Sequence, residues 1–133
     1  MRVTVIGCGR IGAYVARNLA ARGHDVCVID QEPRSLRRLG ADFPGRTVIG
    51  TGFDESVLEA AGVAKTDAVA VLTNLDATNF MVAHAVRDLF GVDRVAVRVN
   101  DPEFTDVFKE LGLQVIDVPA AVLDAVQGVF RDR

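Results

Sequence analysis

Val3-Thr4-Val5-Ile6-Gly7-Cys8-Gly9-Arg10-Ile11-Gly12 is the stretch that decides the fold of this chain. It joins a short β-branched run to a helical pattern through three glycines. A second apolar run, Val26-Cys27-Val28-Ile29, ends at Asp30, eighteen residues after the last of these glycines. Glycines between a strand and a helix, followed by an acid on the next strand, are the dinucleotide-binding fingerprint. The sequence therefore predicts a Rossmann-type α/β domain.

Each part of the glycine turn has an expected role in holding a nucleotide. Gly7 is expected to permit the tight turn, Gly9 to let the backbone approach a phosphate, and Gly12 to let the helix pack on the strand. Phosphates then lie at a helix N-terminus, where N–H groups and the dipole favour negative charge. The Asp30 carboxylate suits a free ribose and repels a 2′-phosphate, which favours NAD, ADP, ATP or AMP over NADP. The alternative is a degenerate domain that keeps the turn for packing and binds nothing.

The composition indicates one globular domain. The chain has 133 residues, half of them hydrophobic and a quarter charged, which is enough for a single core. A net charge of −3 gives no electrostatic footprint for nucleic acid. No apolar run approaches the roughly 20 residues of a transmembrane helix, and the first residues already resemble a strand. We therefore expect a cytoplasmic protein without a signal peptide or direct membrane insertion. Cys8 and Cys27 form no metal-binding motif, so no metal is expected.

Apolar β-branched runs alternate with helical patterns along the whole chain. This alternation predicts a six-stranded, doubly wound parallel sheet with helices on both faces, in strand order 3-2-1-4-5-6. Residues 1–133 are assigned to this one domain. The predicted strands are 2–6, 25–30, 46–49, 68–72, 94–99 and 114–118. The predicted helices are 10–22, 33–41, 54–61, 77–90, 102–111 and 120–130.

Residues that follow the strands are the candidate ligand site, because open α/β sheets bind ligands beyond the carboxyl ends of their strands. Arg10 is expected to reach a terminal phosphate. After strand three, two glycines let the chain pass close to a flat ligand, and Thr51 is placed at the adenine edge. Asp54 either joins it there or caps the next helix. Thr73 and Asn74 are placed to touch phosphate or ribose. The full predicted set of cofactor-binding residues is Gly7, Cys8, Gly9, Arg10, Ile11, Gly12, Asp30, Gln31, Arg34, Gly50, Thr51, Gly52, Thr73, Asn74 and Arg98.

Several features keep two interpretations each. Asp76 either belongs to the polar cluster at the site or caps a helix. Arg98 lies within an apolar strand, so its charge either reaches a nucleotide phosphate or pairs with an acid such as Asp101 or Asp117. Cys8 is either a small core residue or a redox-sensitive thiol near a helix N-terminus. The last helix carries an apolar stripe at i, i+3/i+4 spacing, which either covers the sheet or crosses to a second subunit. The stripe consists of Val122, Leu123, Val126, Val129 and Phe130.

A catalytic pair for hydride transfer is missing from the sequence. No Tyr-x-x-x-Lys pair is present, and neither His24 nor His84 has an obvious acid or base partner. The length also leaves no separate substrate-binding part. We therefore expect a protein that is not an enzyme. A small NAD-dependent oxidoreductase remains the alternative. A third possibility, an NAD-sensing regulator that binds DNA, is not supported, because the sequence contains no basic helix for reading DNA.

Six segments carry a family resemblance across essentially the whole chain. They are Val5-Ile6-Gly7-Cys8-Gly9-Arg10-Ile11-Gly12, Val28-Ile29-Asp30, Gly50-Thr51-Gly52, Val71-Leu72-Thr73-Asn74-Leu75-Asp76-Ala77-Thr78-Asn79, Val97-Arg98-Val99-Asn100-Asp101-Pro102-Glu103 and Glu110-Leu111-Gly112-Leu113-Gln114-Val115-Ile116-Asp117-Val118-Pro119. Together they resemble the N-terminal domain of RCK proteins, regulators of K⁺ conductance, also called TrkA-N or KTN domains. The Thr-Asn-x-Asp-x-x-Asn and Arg-Val-Asn-x-Pro-Glu segments are the discriminating ones.

This resemblance implies a nucleotide sensor that regulates Trk/Ktr-type potassium uptake. It implies binding of NAD(H), ADP, ATP or AMP, and homo-oligomers from a dimer up to an octameric ring. The expected partner is an integral-membrane potassium transporter subunit, with the domain held peripherally at the inner face of the membrane. A nucleotide then changes the dimer angle and so the gate. By resemblance, the glycine turn and Arg10 hold phosphates and Asp30 holds the ribose. Thr73, Asn74 and Arg98 line the rest, and residues 120–131 form the crossover helix of the dimer.

Overall fold

Six strands form one sheet in the computed structural model, which describes residues 1–131. The strands are β1 (Arg2–Ile6), β2 (Asp25–Asp30), β3 (Arg46–Ile49), β4 (Ala68–Val71), β5 (Arg94–Val99) and β6 (Gln114–Asp117). All neighbouring pairs are parallel, and their order is β3-β2-β1-β4-β5-β6, which confirms the predicted order. β4 and β6 each end one residue earlier than predicted. The last two residues of the predicted domain, 132–133, lie outside the described residues.

Six helices connect and flank the strands. They are α1 (Arg10–Ala21), α2 (Pro33–Leu36), α3 (Glu55–Ala60), α4 (Asp76–Phe90), α5 (Thr105–Glu110) and α6 (Val118–Arg131). The predicted helix 33–41 is wrong in length, because α2 tightens into a 3₁₀ turn, Arg37–Leu39, and stops at Gly40 with a φ of 86°. Glycine adopts that left-handed conformation without steric cost. The predicted helix 102–111 likewise divides into a 3₁₀ turn, Pro102–Phe104, and α5.

Alternate strand residues face two separate hydrophobic clusters, one on each side of the sheet. Val5 and Val28 pack against α1 on the first face. Ile29, Val71 and Val97 face α3, α4 and α5 on the second. All five side chains are fully buried. Strands covered on both faces are apolar throughout, which is why the sequence shows continuous apolar runs rather than alternation.

The α1 face of β5 and β6 stays partly open within residues 1–131. Val97 of β5 and Val115 of β6 point to the second cluster, so the alternate residues Ala96 and Ile116 point to the α1 face. Ile116 is 46% exposed there. α6 does not cover this face, because no residue of α6 is buried. The predicted apolar stripe of the last helix is therefore exposed, although the helix begins at Val118, two residues earlier than predicted.

The helices and the potential metal ligands of the described residues bear on two further kinds of site, a membrane span and a metal centre. None of the described helices is long and apolar enough to cross a lipid bilayer. Within the same residues, no group of three or more His, Cys, Asp or Glu side chains is arranged to hold a metal ion. The features that point to a ligand lie instead at one end of the sheet.

Candidate functional site

A cavity of about 640 Å³ opens at the carboxyl ends of the strands, beside the turn between β1 and α1. The chain runs from β1 to β2 and β3 on one side and returns to β4 on the other, so β1 and β4 flank the switch in strand order. Open α/β sheets bind ligands in the crevice at that switch. The volume lies within the roughly 300–1,000 Å³ of small-molecule sites. The topology and the cavity therefore identify the same place.

All of the predicted site residues except Cys8, Gly12 and Arg34 line this cavity. Cys8 and Gly12 are buried behind the turn. Arg34 is exposed on α2, where its N–H donates to the carboxylate of the cap residue Glu32 at 3.3 Å. The structure thus places the Arg34 side chain outside the cavity, because the first turn of α2 directs it to solvent.

The three glycines of the turn differ in what the surrounding protein demands of them. Gly7 has a φ of 104°, and a Cβ there would lie 2.9 Å from the Thr73 nitrogen. A Cβ on Gly12 would lie 1.8 Å from the Gly7 carbonyl oxygen. Gly9 has an ordinary φ of −73°, and a Cβ there would meet no protein atom within 4 Å. Packing and conformation therefore account for Gly7 and Gly12 but not for Gly9.

The N-terminus of α1 presents its backbone N–H groups to the cavity. The first intrahelical hydrogen bond runs from the Ala13 N–H to the Gly9 carbonyl at 2.9 Å, so the N–H groups before Ala13 have no partner within the helix. Gly9 offers no capping side chain, and the first turn of α1 contains no acidic residue. α3 instead has an aspartate cap, Asp54. The positive end of the α1 dipole is therefore available to an anion.

Asp30 is held in place by two backbone groups. Its Oδ2 accepts from the Cys8 N–H at 2.7 Å, and its Oδ1 accepts from the Glu32 N–H at 2.8 Å. Each carboxylate oxygen has a second lone pair, and Asp30 is half-buried at the cavity wall. The carboxylate is thus oriented in advance and keeps acceptor capacity toward the cavity.

Cys8 contributes its backbone rather than its thiol. The side chain is fully buried, and burial, with a smaller contribution from Asp30, raises the pKa of the Cys8 thiol from 9.0 to about 11. The thiolate is the reactive form of cysteine. Because this thiol stays protonated at neutral pH and has no solvent access, the structure favours the core interpretation over the redox-sensitive one.

The loop after β4 is fixed by Asn79, a fully buried amide on α4. Its Oδ1 accepts from the Thr73 N–H at 3.1 Å and from the Thr73 hydroxyl. Its Nδ2 donates to the carbonyls of Thr73 and Arg98, each at 2.9 Å. Asn79 therefore ties the loop that carries Thr73 and Asn74 to β5. The sequence analysis did not predict this role for Asn79. The signal that could have indicated it is its place as the last residue of the Thr-Asn-x-Asp-x-x-Asn segment.

Asp76 takes a third role, different from both predicted ones. It is the first residue of α4 rather than its cap, which is Leu75, and it does not line the cavity. Its Oδ1 accepts from the Asn100 N–H at 2.7 Å, and its Oδ2 accepts from the Asp101 N–H at 2.9 Å. Asp76 thus joins the start of α4 to the loop after β5. Sequence spacing could not reveal this, because the contact spans 24 and 25 residues.

Arg98 reaches the cavity without an acidic partner in residues 1–131. Its Nε donates to the Asn100 side-chain oxygen at 2.7 Å, and its Nη1 donates to the Leu72 carbonyl at 3.4 Å. Asp117, one predicted partner, instead accepts from the Thr105 hydroxyl and the Ala120 N–H, which hold the pKa of that carboxyl below its usual value. The ion-pair alternative is therefore not seen, and the Arg98 charge remains in the cavity wall.

The segment after β3 decides between the two interpretations of Asp54 and gives its two glycines a packing role. Asp54 is a helix cap, since its Oδ1 accepts from the Ser56 N–H at 3.0 Å and from the Ser56 hydroxyl at 2.7 Å. It does not line the cavity, and these hydrogen bonds lower its pKa. A Cβ on Gly50 would lie 2.4 Å from Val57, and one on Gly52 would lie 2.6 Å from Ile6. Packing, rather than a passing ligand, accounts for these two glycines.

Sequence reasoning missed several residues of the cavity wall, Arg38 and Phe53 above all. Arg38 lies in the 3₁₀ turn after α2, and its Nη1 donates to the Cys8 carbonyl at 3.3 Å. The available signal was its basic side chain in the segment after β2, the same segment that contains Arg34. Three arginines and two acids line the cavity, which gives it an excess of positive charge suited to an anionic ligand. They are Arg10, Arg38, Arg98, Asp30 and Glu32.

Comparison with known families identifies relatives of the whole fold. A family model, the TrkA-N domain, matches residues 3–119. The Trk system potassium uptake protein TrkA of Streptomyces coelicolor is 41% identical over 116 residues, which are 87% of this chain and 52% of that protein. The chain therefore spans about half the length of the curated relatives it matches.

Solved structures give the same fold. A structure of GsuK bound to ADP is 26% identical with a TM-score of 0.78, and the match covers 96% of this chain and 32% of that one. The TrkA-N domain of the inner membrane protein ybaL from Escherichia coli has a TM-score of 0.85 over 96% of this chain and 95% of that one. At 15% identity, that second likeness bears on the fold alone.

Proposed function

Since this chain belongs to the TrkA-N domain family, we propose that it is the nucleotide-binding regulatory domain of a Trk/Ktr-type potassium uptake system. It binds NAD(H) or an adenine nucleotide, ADP, ATP or AMP, at the carboxyl ends of the strands. It acts by binding rather than by catalysis, and it reports to an integral-membrane transporter subunit from the cytoplasmic side. The Trk names of its relatives and the ADP-bound GsuK structure support this proposal.

The single observation that carries nucleotide binding is the surplus glycine at position 9. A domain that kept the turn for packing alone would need Gly7 and Gly12, where a side chain collides with backbone atoms. It would not need Gly9, where an alanine meets no protein atom. A missing side chain at the cavity wall is explained by a ligand that lies against the backbone.

The charges around Gly9 support one orientation of the proposed ligand. The phosphates lie on the unpartnered N–H groups at the start of α1, with Arg10 and Arg98 supplying charge-assisted donors. The ribose lies against the Asp30 carboxylate, which two backbone N–H groups already orient. Preorganised groups of this kind bind without the entropic cost of ordering them.

Replacing Gly9 with alanine is expected to weaken nucleotide binding about 10-fold or more, because the methyl group holds the phosphates away from the α1 N–H groups. Stability is expected to fall by about 1 kcal/mol at most, since the methyl meets no protein atom and only the preference of the N-cap for glycine over alanine is lost. Calorimetric titration with ADP, ATP, AMP, NAD⁺ and NADH, beside urea unfolding, measures both quantities.

The matched control is Gly128→Ala, since Gly128 also has open space around its Cβ position but lies on α6, away from the cavity. It should bind nucleotides as the unaltered chain does. If the unaltered chain binds none of the five nucleotides, nucleotide sensing is wrong and the family fold serves assembly alone.

A homodimer is the second part of the proposal, and two exposed apolar surfaces support it. The stripe on α6 includes Val126 at 45% exposure and Phe130 at 71%. The open α1 face of β5 and β6 includes Ile116 at 46%. Each surface is apolar and uncovered within one copy, and a second copy covers both when the helices cross over.

Replacing Val126 with glutamate is expected to raise the dimer dissociation constant at least about 10-fold. In the proposed dimer the stripe is buried, and a charge there loses its hydration without gaining a partner. Sedimentation equilibrium measures this constant, and Gln127→Glu is the matched control, since it adds the same side chain beside the stripe. A chain that stays monomeric at high concentration contradicts the dimer. By linkage, a nucleotide that prefers one dimer geometry also shifts the dimer constant, so the measurement is repeated with ADP.

A further inference from the structure

We propose that Phe53 and Arg38 hold the nucleobase by its two faces, and that the site therefore selects purine over pyrimidine nucleotides. This inference rests on the proposed nucleotide binding and names the part of the site that chooses the base. Neither residue belongs to the glycine turn or to the ribose carboxylate. Both line the same cavity, on segments that follow neighbouring parallel strands.

Phe53 presents an aromatic ring to the cavity without an aromatic partner of its own. The ring is 52% exposed, and the aromatic pairs in residues 1–131 all lie elsewhere, among Phe80, His84, Phe104 and Phe108. Phe53 is also the aromatic residue of the cavity wall. A large exposed ring inside a polar cavity is suited to stacking on the face of a base.

The backbone on both sides of Phe53 is tightly held, so the ring is presented from a rigid position. On one side, Gly52 has no room even for a methyl group, since a Cβ would lie 2.6 Å from Ile6. On the other side, Asp54 caps α3 through Ser56. A ring fixed before the ligand arrives loses little conformational entropy on stacking.

Arg38 supplies a planar cation on the β2 side of the cavity. Its Nη1 lies 3.3 Å from the Cys8 carbonyl oxygen, and the N–H of the same Cys8 is bonded to Asp30. The guanidinium and the Asp30 carboxylate therefore contact the same residue of the turn, one at its carbonyl and the other at its N–H. None of the ion pairs in the described part of the chain includes Arg38. A guanidinium without a carboxylate partner is available to stack on a base.

The positions of phosphate and ribose leave this space for the base. Phosphates at the start of α1 and a ribose at Asp30 direct the base away from β4 and toward β3. β3 pairs with β2, so Phe53 after β3 and Arg38 after β2 lie on that side of the cavity. Asp54, which the sequence left as either a base-edge residue or a helix cap, caps α3 and is engaged with Ser56. Recognition therefore comes from the faces, and the larger face of a purine binds more tightly.

Phe53→Ala is expected to weaken ADP binding about 10-fold and to bring the affinities for ADP and UDP close together. Phe53→Tyr keeps a ring and should restore both the affinity and the preference. Arg38→Lys keeps the charge but loses the plane, and should weaken ADP about 3-fold or more. Calorimetry with ADP and UDP measures these constants, and the ADP-to-UDP ratio is a readout that general destabilisation does not move.

Phe53→Trp gives a direct optical test, because the chain contains no tryptophan. Stacking predicts that ADP at saturation changes the indole emission of the Phe53→Trp variant, and that UDP changes it less. Phe104→Trp is the control, since Phe104 is 43% exposed but lies outside the cavity, and its emission should not respond.

The outcomes separate this inference from the proposed function. If the unaltered chain binds ADP and Phe53→Ala binds it with the same affinity and the same preference over UDP, the base clamp is wrong while nucleotide binding stands. If the emission of Phe53→Trp depends on protein concentration and not on ADP, a second copy covers the ring and the clamp is also wrong. If the unaltered chain binds neither nucleotide, both proposals fail.

Discussion

Replacing Gly12 with alanine is expected to lower the free energy of unfolding by about 3–5 kcal/mol, a large part of the roughly 5–15 kcal/mol that stabilises a folded domain. The added Cβ would lie 1.8 Å from the Gly7 carbonyl oxygen and 2.8 Å from its carbon. Both are backbone atoms of the turn between β1 and α1. The Gly7 N–H donates to the Ile29 carbonyl at 2.9 Å, which joins this turn to β2 and limits how far these atoms can shift.

Urea unfolding followed by circular dichroism measures this loss, with two other glycines as controls. Gly128→Ala on α6 should be neutral or stabilising by up to about 1 kcal/mol, since alanine favours helix and the space there is open. Gly9→Ala, three residues before Gly12, should cost about 1 kcal/mol at most, because it changes only the N-cap of α1. A Gly12→Ala protein as stable as these two would show that the turn adapts and that its close packing is not required.

Replacing Asp30 with alanine is expected to weaken ADP binding about 100-fold or more. The carboxylate is proposed to accept hydrogen bonds from the ribose hydroxyls, and hydrogen bonds to a charged group contribute about 1.5–3 kcal/mol each. Asp25→Ala is the matched control, because Asp25 lies at the opposite end of the same strand and, within residues 1–131, forms its ion pair with the exposed Arg2 alone. It should leave the affinity for ADP unchanged.

The Asp30 change also removes the acceptor of two backbone N–H groups, those of Cys8 and Glu32. A loss of about 1–3 kcal/mol in stability is expected with it. A ligand-side test separates the two effects: 2′-deoxy-ADP should bind the unaltered chain more weakly than ADP, and should bind Asp30→Ala no more weakly than ADP does. Equal binding of the two ligands by the unaltered chain would contradict ribose recognition by Asp30.

Most of the fold followed from local pattern. β1, β2, β3 and β5 have the predicted bounds, because β-branched runs between glycine, proline and aspartate signals are local features. Errors occurred at the ends, where tertiary contacts decide. α2 tightens into a 3₁₀ turn before Gly40, and the turn at Pro102 separates from α5. Competing hydrogen bonds at helix ends differ too little in energy for sequence to choose between them.

The sequence predicted those parts of the cavity wall that directly follow a strand. The turn after β1 and Asp30 after β2 needed only the rule that parallel strands end at one edge. Asn79 and Asp76 were different, because their partners lie on β5 and the loop after it. Arg38, and not the predicted Arg34, lines the cavity, because the path of the 3₁₀ turn decides which of the two side chains faces it.

By itself the sequence determined the parallel sheet, its strand order and the place of the ligand crevice, because these depend on periodicity and on local turn chemistry. Tertiary structure alone decided which glycines serve packing. It also decided that Asp76 is engaged by the backbone of the loop after β5, and that Arg98 has no acidic partner within the described residues. A side chain's partner is set by the close packing of segments distant in sequence, and no local pattern encodes those distances.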